Sequence, residues 1–192
     1  QASAQNILVN PSCEEAGNEK ELMKGWALQG THHRCKVDVV QEGTRSGRHA
    51  LHAAAGPGAN GQSFKTLGRF CVDVKLTRTA AKSGEIYTLS AWYRTTGRAS
   101  ISMAAAFVGQ PGFNPQSGEN IRKTAVEGDP SEAWNLAQTT VILPAGTERL
   151  SSVRVYGYLR VPGEEVWIDD LRFEPSRALA VPSVEKPPDI DG

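Results

Sequence analysis

Two short stretches place aromatic and cationic side chains where a folded strand would show them to solvent. In Tyr87–Arg94, one alternate set reads Tyr87, Leu89, Ala91, Tyr93 and the other Thr88, Ser90, Trp92, Arg94. Further on, Val153, Val155 and Leu159 fall on one side, and Arg154, Tyr156, Tyr158 and Arg160 on the other. Successive strand residues point to opposite faces, so the apolar sets read as core. Trp92 and the two tyrosines then share polar faces with arginines. That pairing suits sugars: rings stack on the apolar C–H face of a pyranose, and guanidinium and phenol groups bond its hydroxyls. Guanidinium forks also match carboxylate or sulfate groups, so an acidic glycan and a neutral β-glycan are both admissible. The expectation is that Trp92, Arg94, Arg154, Tyr156, Tyr158 and Arg160 line one concave sheet face. One-residue bulges would reverse the phase and make Trp92 and Tyr156 ordinary core.

Other chemistries leave weaker traces. Glycoside hydrolysis needs two carboxylates about 5–10 Å apart. The acids Glu119, Glu127, Asp129, Glu164 and Glu165 sit mainly in turn-rich stretches. No Gly-x-Ser-x-Gly elbow, His-Glu-x-x-His pair or phosphate loop is present. A hydrolase, or a lyase built on Tyr156 and Arg154, stays open as an alternative. His32-His33 is an adjacent pair whose side chains would diverge in a strand, and no third ligand accompanies it, so a polar loop is the simpler reading. Cys13, Cys35 and Cys71 are odd in number and contain no Cys-x-x-Cys, which argues against a zinc site. Either one disulfide forms, in one of three pairings, or all three are small buried hydrophobes.

The elements that must position these residues read as strands. Period-two runs cover Ile7–Val9, Lys36–Gln41, Ala50–Ala54, Phe70–Leu76, Ile86–Arg94, Ser100–Val108, Gln138–Leu143, Ser152–Val161 and Val166–Glu174. Glycine- and proline-rich connectors separate them, such as Gly56-Pro57-Gly58 and Pro162-Gly163-Glu164. No segment carries a helical stripe; Glu14–Lys24 holds one helical turn at most. Many short strands spaced by turns predict an all-β fold, an antiparallel sandwich or barrel. The stretch from Gly109 to Ala137 is aperiodic and reads as a long functional excursion or an insertion over a sheet edge, with Phe113 placed to reach over a ligand or cover that edge.

The chain has 192 residues, with 21 basic and 21 acidic side chains balancing to zero. One domain of that length buries roughly 70% of its unfolded surface and needs no metal or disulfide merely to fold. The balance argues against a general nucleic-acid binder. No apolar run approaches the roughly 20 residues of a membrane span. The chain opens on Gln1 without a leader, which reads as an end left after leader removal and points to secretion.

Six blocks, taken in order, resemble one family. Asn6-Ile7-Leu8-Val9-Asn10-Pro11-Ser12-Cys13-Glu14, Gly25-Trp26, Ser46-Gly47-Arg48-His49-Ala50-Leu51, Gly84 to Trp92, Trp134 with Leu143-Pro144-Ala145-Gly146, and Val166-Trp167-Ile168-Asp169-Asp170-Leu171 are similar to the motifs of carbohydrate-binding modules of the family 4, 9, 16 and 22 type. Cys13 and Pro11 depart from the Phe and Gly usual there. The tail Lys186 to Gly192 resembles the opening of a family 9-like module.

The resemblance implies an antiparallel β-sandwich jelly roll over residues 1–175, then a Pro-rich linker over 176–192 leading to another module. It implies a non-catalytic, monomeric, extracellular domain that binds a polysaccharide and tethers an appended catalytic or further binding module to it. Trp26, Trp134 and Trp167 lie in its motif blocks and are expected to pack. The family often holds one structural Ca2+, which would fall here on Glu14, on one of Asp169 and Asp170, and on backbone carbonyls near Ser46 to Arg48. Such a clip would join the two chain ends to a loop. A protein-binding or adhesion sandwich is the rival class, because fold alone does not decide function.

Overall fold

The computed structural model describes residues 5–29, 34–60, 62, 67–81, 83–109, 121–127 and 131–176, with backbone alone at 109, 121–127, 131 and 132. The strands are β1 (Trp26–Leu28), β2 (Cys35–Val40), β3 (Ala50–Ala55), β4 (Gly68–Val74), β5 (Ile86–Thr95), β6 (Ser100–Gly109), β7 (Ile121–Glu127), β8 (Ser131–Ile142), β9 (Thr147–Leu159) and β10 (Glu165–Pro175). They form two five-stranded antiparallel sheets. The front sheet runs β1-β4-β9-β6-β7 and the back sheet β2-β3-β10-β5-β8. This is the expected all-β sandwich, with no helix among the described residues.

The alternation explains why the sheets close on each other. Phe70, Val72, Val74, Ile101, Met103, Val153, Val155 and Leu159 project inward from the front sheet. Leu51, Tyr87, Leu89, Ala91, Tyr93, Val166, Ile168 and Phe173 project inward from the back sheet. Tyr87 stacks on Phe173 with ring centroids 4.7 Å apart, and its hydroxyl donates to Glu85 at 2.8 Å. Gly157 is the inward position between Tyr156 and Tyr158, and a methyl group there would overlap the Phe70 ring. The missing side chain lets the aromatic lie flat against the central strand.

Several expectations are corrected. Ile7–Val9 is not a strand: Leu8 makes one bridge to Leu76, and the Ile7 amide donates to the Phe173 carbonyl at 3.0 Å. Within Gly109–Ala137 lie β7 and the first half of β8. Arg122 and Lys123 interrupt the apolar pattern of β7, as charges often do on an edge strand. Of the two cysteine readings, the disulfide is excluded: Cys13, Cys35 and Cys71 are thiols, with Cys13 and Cys35 buried and Cys71 half-buried. His32, His33, Phe113, Glu119, Asp129 and the segment 177–192 lie outside the described residues.

Candidate functional site

Five of the six expected sugar-facing residues have the predicted strand phase, but the six do not share one face. Arg154, Tyr156 and Tyr158 stand half-buried on the outer side of β9, in the front sheet. Trp92 and Arg94 stand on the outer side of β5, in the back sheet. The core lies between the two groups. Arg160 joins neither: it follows the end of β9 and lies in the turn to β10, where its amide bonds Glu164.

On the front face, pairing sets three rows across β4, β9 and β6. They read Arg69–Tyr158–Ser100, Cys71–Tyr156–Ser102 and Asp73–Arg154–Ala104. The tyrosines therefore occupy the central strand beside small side chains. Ser100, Ser102, Ala104 and Ala106 are shielded on this outer side although none belongs to the core between the sheets. Arg154 donates from Nε to Asp73 Oδ1 at 2.9 Å and also bonds Tyr156. Burial alone would make that guanidinium easier to deprotonate, but Asp73 and Tyr156 outweigh it and raise its pKa. Asp73 thus fixes Arg154 in place, and Arg154 orients the Tyr156 phenol.

The back face holds three of the four tryptophans. Cross-strand pairing aligns Asp38, His52, Trp167 and Arg94 in one row, with Trp134 beyond Arg94 on β8. His52 Nδ1 lies 2.8 Å from Asp38, and its ring centroid is 4.9 Å from that of Trp167. Arg94 lies 4.1 Å from the Trp167 centroid and 5.8 Å from that of Trp134. One row away, the Arg45 guanidinium covers Trp92 at 3.9 Å. Trp26 is core as expected, but Trp134 and Trp167 are outer-face residues. A reading that begins the strand at Gln138 misses Trp134. The alternation of Trp134, Leu136 and Gln138 against Ala133, Asn135 and Ala137 is the signal that finds it.

The expected clip residues come together around the β2–β3 loop. Alternation would send Asp169 and Asp170 to opposite sides, but a bulge between Asp169 and Arg172 turns both toward the loop, with Asp170 at φ 48°. Asp169 is fully buried; its Oδ2 accepts the Arg45 and Ser46 amides at 3.0 and 3.1 Å, and its Oδ1 accepts the Asp170 amide at 2.7 Å. Asp170 accepts the Ser46 hydroxyl at 2.8 Å and pairs with Arg45. Glu14 Oε1 accepts the amides of Arg48 and His49 at 2.7 and 3.0 Å. Burial, reinforced by Asp170, pushes the Asp169 carboxyl above the usual range despite its three amide donors. Burial above all, with Asp169, Asp170 and Glu14 adding to it, pushes the neighbouring Cys13 thiol up as well. Three carboxylates meet here against the Arg45 guanidinium and His49, which lies 3.5 Å from Glu14, and Glu14 and Asp169 are already taken up by backbone amides. Among the described residues no three side chains of His, Cys, Asp or Glu suffice to hold a metal, so backbone carbonyls would have to complete the shell.

Glu164 is a residue that the turn-rich sequence disguised. It is only 6% exposed and accepts the Arg98 amide at 2.9 Å, the Val161 amide at 3.1 Å and the Arg160 amide. It organises the β9–β10 turn; the recess there is lined by Thr96, Gly97, Arg98, Arg160 and Val161.

No protein-family model matches the chain, and comparison with curated proteins gives no match. Solved structures do resemble it. TmCBM61, solved in complex with beta-1,4-galactotriose, is 16% identical with a TM-score of 0.55, the match covering 90% of this chain and 100% of that one. The CBM22-1 xylan-binding domain from Paenibacillus barcinonensis Xyn10C is 15% identical with a TM-score of 0.53, covering 91% of this chain and 97% of that one. A cyclase from Fischerella sp. TAU is 12% identical with a TM-score of 0.57, covering 91% and 99%. At these identities the likeness concerns the fold: the chain is a β-sandwich jelly roll of the kind built by carbohydrate-binding modules.

Proposed function

We propose that the chain is a non-catalytic carbohydrate-binding module that holds a polysaccharide across its front face. The observation carrying this reading is the pair of tyrosines on the central strand β9, beside Ser100 and Ser102 and next to an Arg154 fixed by Asp73. The rings offer stacking surfaces, and the Arg154–Tyr156 network supplies directed hydrogen bonds. The galactotriose and xylan named for two structural neighbours support neutral β-glycans as first probes for this face. Such a module would act outside the cell and carry an appended catalytic or binding domain to its substrate.

The test compares wild type with a Tyr156→Ala/Tyr158→Ala variant by affinity electrophoresis in gels containing β-1,4-galactan or xylan. Losing two stacking rings of about 1 kcal/mol each is expected to weaken binding roughly tenfold or more with little change in melting temperature. Unchanged retardation with a large loss of stability would sink the assignment. No retardation of the wild type by any polysaccharide would favour the adhesion class, and release of sugar fragments would make the chain an enzyme.

We further propose that Glu14, Asp169 and Asp170, with loop carbonyls around Ser46 to Arg48, hold a structural Ca2+. The ion would neutralise the surplus carboxylate charge and join the N-terminal segment, the β2–β3 loop and β10. Calcium at about 100 times its Kd adds about 2.7 kcal/mol, so its chelation is expected to lower the melting temperature by roughly 5–10 °C, reversibly. Equal melting curves in chelator and in excess calcium would refute it.

A further inference from the structure

The back face carries a cation that no carboxylate among the described residues answers. Arg154 has Asp73 and Arg45 has Asp170. Arg94, lying between two indoles, has no acidic partner among the described residues, and its Nε–H is buried without an acceptor. The acids nearby are engaged elsewhere: Asp38 with Lys36 and His52, Asp169 with the loop amides, and Glu165 toward His52 at 3.8 Å. A half-buried guanidinium without a counter-charge is costly, and an anion delivered by a ligand to its terminal nitrogens would offset that cost. The surroundings describe that ligand further. Trp134 is half-exposed on the edge strand β8, and Leu136, paired with Trp92 in register, is 47% exposed. These are flat apolar surfaces beside a fork-shaped cation, and together they match a pyranose ring bearing an anionic group.

We propose that the back face is a second glycan site, selective for pyranose units carrying a carboxylate or sulfate. The Arg94 fork takes the anion and the Trp134 indole takes the ring face. The inference rests on the preceding reading only for the class of polymer. Because this site and the tyrosine face lie on opposite sides of the sandwich, one module can hold two polysaccharide chains at once.

The experiment measures retardation of the whole chain by polygalacturonate (carboxylate), a carrageenan (sulfate) and neutral β-1,4-galactan, with poly-L-glutamate as a non-sugar polyanion. Arg94→Gln is expected to weaken binding of the acidic polysaccharide about 10- to 100-fold, the loss of a charge-assisted contact, and Trp134→Ala to weaken it as well. Arg94→Lys, which keeps the charge but not the fork, is expected to fall between and serves if the glutamine variant folds poorly. Retention on polygalacturonate alone identifies the carboxylate, and on carrageenan alone the sulfate. Raised salt is expected to weaken this binding while sparing galactan. The Tyr156→Ala/Tyr158→Ala variant is expected to keep its acidic-polymer binding, so failure of the front-face reading shows in the galactan arm alone. The proposal is overturned if Arg94→Gln and Trp134→Ala bind acidic polysaccharides like wild type. It is equally overturned if wild type binds neither acidic polysaccharide, or binds poly-L-glutamate as well as it binds them.

Discussion

Replacing Trp26 with alanine is expected to cost about 3–5 kcal/mol of folding free energy, the range for deleting a large buried aromatic. For a chain of this size that lowers the melting temperature by about 10 °C or more. Trp26 is fully buried in β1, and its indole N–H donates to the Asn10 carbonyl at 3.0 Å. Asn10 in turn holds a left-handed conformation at φ 49° and clasps Glu15 through both side-chain atoms, at 2.9 and 3.0 Å. The indole therefore ties the N-terminal segment, including Glu14, to the front sheet. Removing it opens a cavity and leaves the Val9 and Asn10 carbonyls without their shared donor. Trp26→Phe keeps most of the apolar surface and loses the donor, so a smaller cost of about 1–3 kcal/mol is expected. Chemical denaturation of both variants checks the order. An alanine variant within about 1 kcal/mol of wild type would show that the N-terminal segment does not pack in this way.

The phases of β5 and β9 were legible because a strand buried on one side writes its orientation into alternate residues. Tyr87, Leu89, Ala91 and Tyr93 are core, as are Val153, Val155 and Leu159, and no bulge reverses either set. Period two says which residues face out, but not which sheet they face out from. β9 pairs with β4 and β6, while β5 pairs with β8 and β10. Those pairings join segments far apart in sequence, so nothing local separates Trp92 from Tyr156. The bulge in β10 was hidden for a related reason: one extra residue is invisible until the register on both flanks is known. Glu164 shows a third limit. A glutamate after Pro162-Gly163 reads as a solvated turn residue, yet two amides of its own turn, Arg160 and Val161, and the Arg98 amide of the β5–β6 turn all donate to it. The aromatic row of the back face was obscured by family position, since motif tryptophans read as packing. Trp167 does pack, but against Arg94 and His52 on the outside of the sheet.

Asp169→Ala is expected to destabilise the protein by about 3–5 kcal/mol, because three amide donors lose their acceptor in a buried setting at about 1–3 kcal/mol each, less what water recovers. The carboxylate itself is a burden at neutral pH. Its folded pKa stands above the unfolded value, so its contribution to stability is greatest in acid and is lost as pH rises through the folded pKa. Asp169→Asn separates the two effects. It removes that pH slope and any attraction for calcium while keeping one carbonyl for the Arg45 and Ser46 amides, so it is expected to lie between wild type and alanine. Melting curves across pH, with chelator and with excess calcium, distinguish them: the chelator-dependent step vanishes in both variants, while the larger loss appears in alanine alone. The damage extends to recognition. The loop that Asp169 holds carries Arg45 over Trp92 and brings Gly43 against the Arg94 guanidinium. Asp169→Ala is therefore expected to weaken acidic-polymer binding on the back face and to leave galactan binding at Tyr156 and Tyr158 intact. If both faces lose affinity together, the two sites are not the independent surfaces that opposite sheets require.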